Sequence, residues 1–182
     1  GGPLASSAAT LIDVTGDNPV VTQAQPMHFP RHWANSTILP NGQVLVTGGS
    51  DENAGLGGAG PSLAAELWNP ATGEWTVLAS EVHARLYHST AILLPDATIV
   101  SGGGGAPGPV NNLNAQIFTP PYLYDGTQLA ARPAVSSSQA AVSYGGTIEL
   151  TVNSSKPIAR MTFLKTGAVT HSFNNDQRFV EL

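Results

Sequence analysis

Apolar residues along this chain fall into short runs, each closed by Gly, Pro, Asn or Asp, and no stretch has the length and period of a long amphipathic helix. The pattern predicts many short strands joined by tight turns. Val44-Leu45-Val46 is continuously apolar, as a strand buried on both faces requires. Thr147 to Val152 and Ala159 to Leu164 alternate instead, as half-buried strands do.

Laid against itself, the chain repeats at about 50 residues, the spacing of kelch-type propeller blades. STILPNGQVLVTGG (Ser36 to Gly49) returns as STAILLPDATIVSGG (Ser89 to Gly103): strand, Pro-Asn or Pro-Asp turn, strand, glycine pair. Both read as hairpins, with glycines that let the backbone pass close to a neighbouring blade. AELWNPATGEWTVL (Ala65 to Leu78) returns as AQIFTPPYLYDGTQL (Ala115 to Leu129), and a weaker copy runs from Ala9 to Val21. After Ala131-Arg132-Pro133 the repeat stops and alternating strands begin. The expected fold is all-β: an incomplete kelch-type β-propeller over residues 1–131, then part of an immunoglobulin-like β-sandwich over 132–182. Both parts are expected to be cut short, leaving unpaired strand edges and a poorly stable chain.

Composition narrows the chemistry. Seven Lys and Arg against 12 Asp and Glu, with no basic run, exclude a surface that follows a phosphate backbone, so nucleic acid is not an expected partner. No apolar run is long enough to span a membrane. The first ten residues lack a basic and apolar leader pattern, so a signal peptide is absent or was removed before Gly1. There is no Cys, so a metal would have to be held by His, Tyr or carboxylate. Gly102 to Gly105 is followed by no Lys-Ser or Lys-Thr, and reads as a blade turn rather than a phosphate cradle.

The two hairpin copies differ where chemistry would sit. Arg31-His32-Trp33-Ala34-Asn35 lies 54 residues before Arg85-Leu86-Tyr87-His88-Ser89, so Tyr87 replaces Trp33 and His88 replaces Ala34. On spacing alone the Tyr-His pair reads as an ordinary aromatic beside a hydrogen-bonded His at a blade edge, or as two metal ligands together. Trp33 lines a substrate pocket or packs a blade. His28, His32 and His83 have no such counterpart and read as structural.

Arg85-Leu86-Tyr87-His88-Ser89-Thr90-Ala91 with Leu94-Pro95-Asp96 resembles the Tyr-His blade of the galactose oxidase and glyoxal oxidase family of copper radical oxidases. Asn114 to Tyr124 with Arg132-Pro133 resembles that family's junction between propeller and C-terminal domain. Thr170-His171-Ser172-Phe173-Asn174-Asn175-Asp176-Gln177-Arg178 resembles its loop that carries a copper-binding His into the propeller channel. The resemblance implies an early-set (E-set) immunoglobulin-like C-terminal domain and copper held by Tyr87, His88 and His171. Imidazole nitrogen and phenolate oxygen suit the tetragonal preference of Cu(II). Tyr87 is implied as the axial ligand and the catalytic base for the substrate hydroxyl proton. Asp176 and Arg178 follow the His171 loop and read either as a pair that holds it or as purely structural residues.

The implied reaction is oxidation of a primary alcohol, sugar or simple aldehyde by dioxygen, giving hydrogen peroxide, in an extracellular or cell-envelope setting. The family's radical tyrosine is joined to a cysteine upstream of the matched region, and a chain without Cys cannot form that cofactor. Tyr122, Tyr124 and Tyr144 read as structural. The parent protein is therefore the expected enzyme. This chain, lacking N-terminal blades of that parent, is expected to bind copper weakly and to be inactive alone. The alternative is a noncatalytic kelch-type propeller binding carbohydrate or cell wall.

Overall fold

A computed structural model describes residues 4–51, 60–108 and 110–182. Regular structure is almost all strand: β1 (Thr10–Asp13), β2 (Val20–Gln23), β3 (Asn35–Ile38), β4 (Val44–Thr47), β5 (Ala64–Trp68), β6 (Trp75–Ser80), β7 (Ser89–Leu93), β8 (Ile99–Gly103) and β9 (Ala115–Phe118). A 3-10 turn, Pro121–Leu123, precedes β10 (Tyr124–Asp125), β11 (Gln128–Leu129), β12 (Ala134–Ser136), β13 (Thr151–Asn153), β14 (Thr162–Lys165), β15 (Val169–Thr170), β16 (Phe173–Asn174) and β17 (Arg178–Glu181). Among the described residues no helix is long and apolar enough to cross a membrane.

The predicted hairpins form as two neighbouring antiparallel sheets, ordered β3-β4-β5-β6 and β7-β8-β9. Their turns match residue for residue. Asn41 Oδ1 accepts the Gln43 amide, and Asp96 Oδ1 accepts both the amide and the hydroxyl of Thr98. Gly42 takes the left-handed backbone of the first turn (φ 83°), and Ala97 takes it in the second (φ 63°). The sheets stack closely enough that a Cβ on Gly48 would lie 2.7 Å from the Arg85 carbonyl oxygen of the next sheet. Leu39, Leu45, Ala65, Leu67, Ala91, Leu93 and Ile99 form the shared core. Burying each of its Leu or Ile side chains contributes roughly 1.5–3 kcal/mol.

Each sheet is tied by a buried arginine set before its inner strand. Arg31 donates to the carbonyls of Gly48, Ser62 and Ala64 and pairs with Glu66 at 2.8 Å. Arg85 reaches Gly103, Asn114 and Gln116 in the same way. Glu66 and Gln116 occupy equivalent repeat positions.

The second copy departs from the repeat after Phe118. Pro120 and Pro121 offer no N–H to a ladder, so the chain leaves the sheet, makes the 3-10 turn and closes a separate small hairpin, β10-β11. Among the described residues the second sheet thus has three strands where the first has four. The weak copy at Ala9 to Val21 does form a hairpin, β1-β2.

Beyond residue 132 the strands are short and pair as β12-β13, β14-β17 and β15-β16. The strands expected at Thr147 to Val152 and Ala159 to Leu164 shift to β13 and β14. In the first case the Gln139 carboxamide takes the Glu149 amide and the Thr147 carbonyl, backbone groups a partner strand would otherwise use. This region rests on the tip of the first blade hairpin. Thr162 donates to the Pro40 carbonyl, Arg160 donates to that of Asn41, and Phe179 lies beside Gly42.

Candidate metal centre

The inner strands β3 and β7 run side by side, joined by a hydrogen bond from Asn35 Nδ2 to Ser89 Oγ at 2.9 Å. Those residues are repeat equivalents, so the positions preceding them are also brought together. The rings of Trp33 and Tyr87 meet edge to face, 4.5 Å between centroids. His171 arrives from a different direction. Thr170 pairs with Phe173, so His171 and Ser172 are the two central residues of a tight hairpin turn, both left-handed at φ 52° and 68°. That is the type I′ pattern, which Asn-Gly fills at least cost. Trp33 and His88 are left-handed too, at φ 61° and 66°. Non-glycine residues in this region cost about 1–2 kcal/mol each and persist where surrounding structure imposes them.

The result is a cluster of four rings. Tyr87 and His88 centroids lie 3.7 Å apart, Tyr87 and His171 5.6 Å, and His88 and His171 4.8 Å with their planes nearly perpendicular. The imidazoles point at one another through Nε2, 3.1 Å apart. His88 Nδ1 faces the Ala106 carbonyl at 3.0 Å, and because a carbonyl only accepts, the His88 proton sits on Nδ1 and Nε2 presents a lone pair.

His171 Nδ1 contacts the Thr170 hydroxyl at 2.7 Å. If that hydroxyl donates, His171 Nε2–H can donate to His88. If it accepts, two lone pairs face each other, an arrangement that calls for a cation between them. Two nitrogens set at a right angle about 2.0–2.1 Å from one ion lie about 2.9 Å apart, so the observed pair fits such a role. Among the described residues no three His, Asp or Glu side chains converge on one point. Among the described residues, the side chains gathered here are two imidazoles and the adjacent phenol.

Besides turning the blade, the glycine run packs onto the segment that carries Tyr87 and His88. Gly103, Gly104 and Gly105 all have positive φ, and a Cβ on Gly104 would sit 2.8 Å from the Leu86 nitrogen. Without side chains the run folds onto the Leu86–His88 backbone, the Gly105 amide donates to the Tyr87 carbonyl, and Ala106 is delivered to His88.

Asp176 and Arg178 do not pair with each other. Asp176 bonds Lys165 at 2.6 Å, which holds its carboxyl below the usual carboxylate range, and Arg178 donates to the Asn175 and Gln177 carbonyls. The contacts that hold the His171 loop come from uncharged neighbours. Gln177 Oε1 accepts the Ile38 amide at 2.8 Å, Gln177 Nε2 donates to the Ile38 carbonyl at 2.7 Å, and Asn174 donates to the Ser36 carbonyl at 3.0 Å. Gln177 and Asn174 carried no signal in the sequence, since nothing in a polar run says which amide will face a strand edge.

Tyr122 packs on the core and donates to the Ala97 carbonyl, and burial pushes its phenol well above the usual range. Tyr124 and Tyr144 are exposed rather than packed. His28 belongs to the Arg31–Glu66 network, with its amide and Nδ1 both on Glu66 Oε1.

Residues 4–120 match the glyoxal oxidase N-terminus family, and residues 132–182 match the galactose oxidase-like, early set domain family. Galactose oxidase of Gibberella zeae is 34% identical over 160 residues, 86% of this chain and 23% of that protein. Aldehyde oxidase GLOX of Vitis pseudoreticulata is 28% identical over 188 residues, 94% of this chain and 35% of the relative. The solved structure of a novel fungal alcohol oxidase of the AA5 family, in complex with copper, superimposes with a TM-score of 0.90 at 34% identity. It covers 99% of this chain and 39% of its own. This chain therefore spans well under half the length of each of these relatives.

Proposed function

The chain belongs to the copper radical oxidase family of galactose oxidase and glyoxal oxidase, and from that premise we propose that it supplies three ligands, Tyr87, His88 and His171, to a copper centre. The parent enzyme oxidises primary alcohols or simple aldehydes with dioxygen to hydrogen peroxide, outside the cytoplasm. The observation that carries the reading is the 3.1 Å approach of the two Nε2 atoms, with His88 held in the tautomer a ligand needs. Its fold is all-β, a partial kelch-type propeller with an immunoglobulin-like E-set region. The division proposed is residues 1–131 and 132–182, supported by the change from stacked four- and three-stranded sheets to two-stranded ladders.

Copper, when bound, supplies Lewis acidity and a one-electron acceptor. The remaining work belongs to side chains. His88 and His171 bind through nitrogen, each fixed at Nδ1 by Ala106 or Thr170. Tyr87, stacked on His88, is the proposed base for the substrate hydroxyl proton. Trp33 packs edge to face with the Tyr87 ring, restricts its swing and offers an indole wall to an alcohol, sugar or aldehyde substrate. With no Cys the chain cannot make the family's Tyr-Cys cofactor, so alone it holds copper weakly and does not turn over.

Copper titration followed by electron paramagnetic resonance tests this. Wild type should give a tetragonal nitrogen-ligated signal that His88→Ala and His171→Ala each lose. A signal indifferent to both changes, or none at all, would favour a noncatalytic binding propeller.

A further inference from the structure

We propose that Gln177 is the positioning residue of this centre: its carboxamide closes the free edge of β3 as a neighbouring strand would, and so sets where the His171 tip rests against His88. The proposal rests on the copper reading for its consequence, though the clamp itself is visible without metal.

In an antiparallel strand alternate residues turn their N–H and C=O toward opposite edges. Thr37 and Asn35 face β4, while Ser36 and Ile38 face away from it. Left alone, that outer edge would present unpaired backbone groups. Gln177 takes both groups of Ile38, accepting from its amide and donating to its carbonyl, the same two-bond exchange that a strand residue makes. Asn174 Nδ2 bridges the Gln177 Oε1 and the Ser36 carbonyl, both at 3.0 Å, and extends the mimicry by one repeat. Gln177 is 5% exposed, so these bonds are made away from competing water.

The contacts close a circuit. From His171 the chain runs three residues to Asn174, crosses with Gln177 to β3, passes from Asn35 to Ser89, and reaches His88 one residue earlier. Both ends of the imidazole pair are thus anchored to β3. The charged neighbours are not part of it: Asp176 and Lys165 are both more than half exposed, and such a pair holds a backbone weakly. The clamp also accounts for the left-handed backbone at His171 and Ser172, because the turn is held at its base rather than by its own preference.

The test uses the whole chain in two states. In the metal-free protein, Gln177→Ala should lower the hydrogen-exchange protection of the Ile38 amide at least tenfold. Gln177→Glu should lower it at neutral pH and recover protection in acid, where the neutral carboxyl can again donate to the Ile38 carbonyl. Asp176→Asn should leave it unchanged. With copper added, Gln177→Ala should lose one nitrogen from the resonance spectrum, as His171→Ala does, while Asp176→Asn keeps the wild-type spectrum. Unchanged Ile38 protection in both Gln177 variants, or an equal loss in Asp176→Asn, overturns the proposal. Should Gln177→Ala not fold, the acid recovery of Gln177→Glu decides alone, and failure to recover counts against it. Wild type without a nitrogen-ligated signal removes the copper reading, and Ile38 protection then judges the clamp by itself.

Discussion

Replacing Arg31 by methionine would show how much of the blade architecture depends on the arginine set before each inner strand. Arg31 and Glu66 are both wholly buried, and the guanidinium donates twice to Glu66 Oε2, at 3.1 and 2.8 Å. It also donates to three carbonyls at 2.7, 3.3 and 2.6 Å. Arg31→Met keeps much of the volume but leaves a carboxylate without its counter-charge and three carbonyls without a donor. Breaking a buried pair from one side costs about 3–5 kcal/mol, against a total domain stability of roughly 5–15 kcal/mol. Glu66→Gln should cost less, about 1–2 kcal/mol, because the second blade already works with Gln116 at that position. Removing both charges together, Arg31→Met with Glu66→Leu, should recover a large part of the loss. Urea unfolding with a shared slope measures all three. Trp33, two residues on, should lose its ordered contact with Tyr87, read as a weakened near-ultraviolet dichroism signal. A cost for Arg31→Met within the roughly 0–1 kcal/mol of an exposed pair, or an Arg31→Met/Glu66→Leu variant no more stable than Arg31→Met alone, would contradict this account.

Two further outcomes follow from features of the blades. Ala97→Gly should raise stability by about 0.5 kcal/mol, since relief of left-handed strain outweighs the added freedom of the unfolded chain; a lower urea midpoint would mean that the Ala97 methyl packs usefully. Glu81 has a side chain 11% exposed whose carboxylate oxygens are enclosed and not hydrogen-bonded, and Arg85 Nε stands 3.7 Å away, so desolvation pushes its carboxyl up despite that charge, the nearby Ser101 hydroxyl and the more distant Arg31. The fold therefore prefers the protonated group: its contribution is full below the ordinary carboxylate pKa and is lost as pH rises through the raised one. Glu81→Gln should stabilise more at pH 7 than at pH 4, and an equal effect at both would contradict this.

Much of the architecture could be read from the repeat. The turns at Asn41 and Asp96, the stacking at Gly48 and the side-by-side placement of Trp33 and Tyr87 follow from two copies of one hairpin lying in register. The repeat failed where proline intervened, since similarity between Trp75 to Leu78 and the residues after Thr119 could not outweigh two missing N–H donors. Apolar alternation over Thr147 to Val152 does not show that Gln139 stands in for a strand there, and the charges after His171 do not show that Gln177 does the same at β3. Both differences have one cause. A carboxamide can imitate a peptide group, and apolar alternation does not register that possibility.

Gln177 and Ile38 are 139 positions apart, and His88 and His171 are 83 apart, whereas each blade hairpin closes over a handful of residues. Entropy lost on closing a loop rises with its length and precedes any contact that rewards it, so local hairpins assemble early and the long closure comes late. By that order His171 docks onto the ring cluster after the blades have formed. A preparation halted just before that step would have its full complement of blade sheet, with Trp33 already against Tyr87, would look folded by strand content, and would lack His171 at the centre; protection of the Ile38 amide measures maturation where the backbone signal does not.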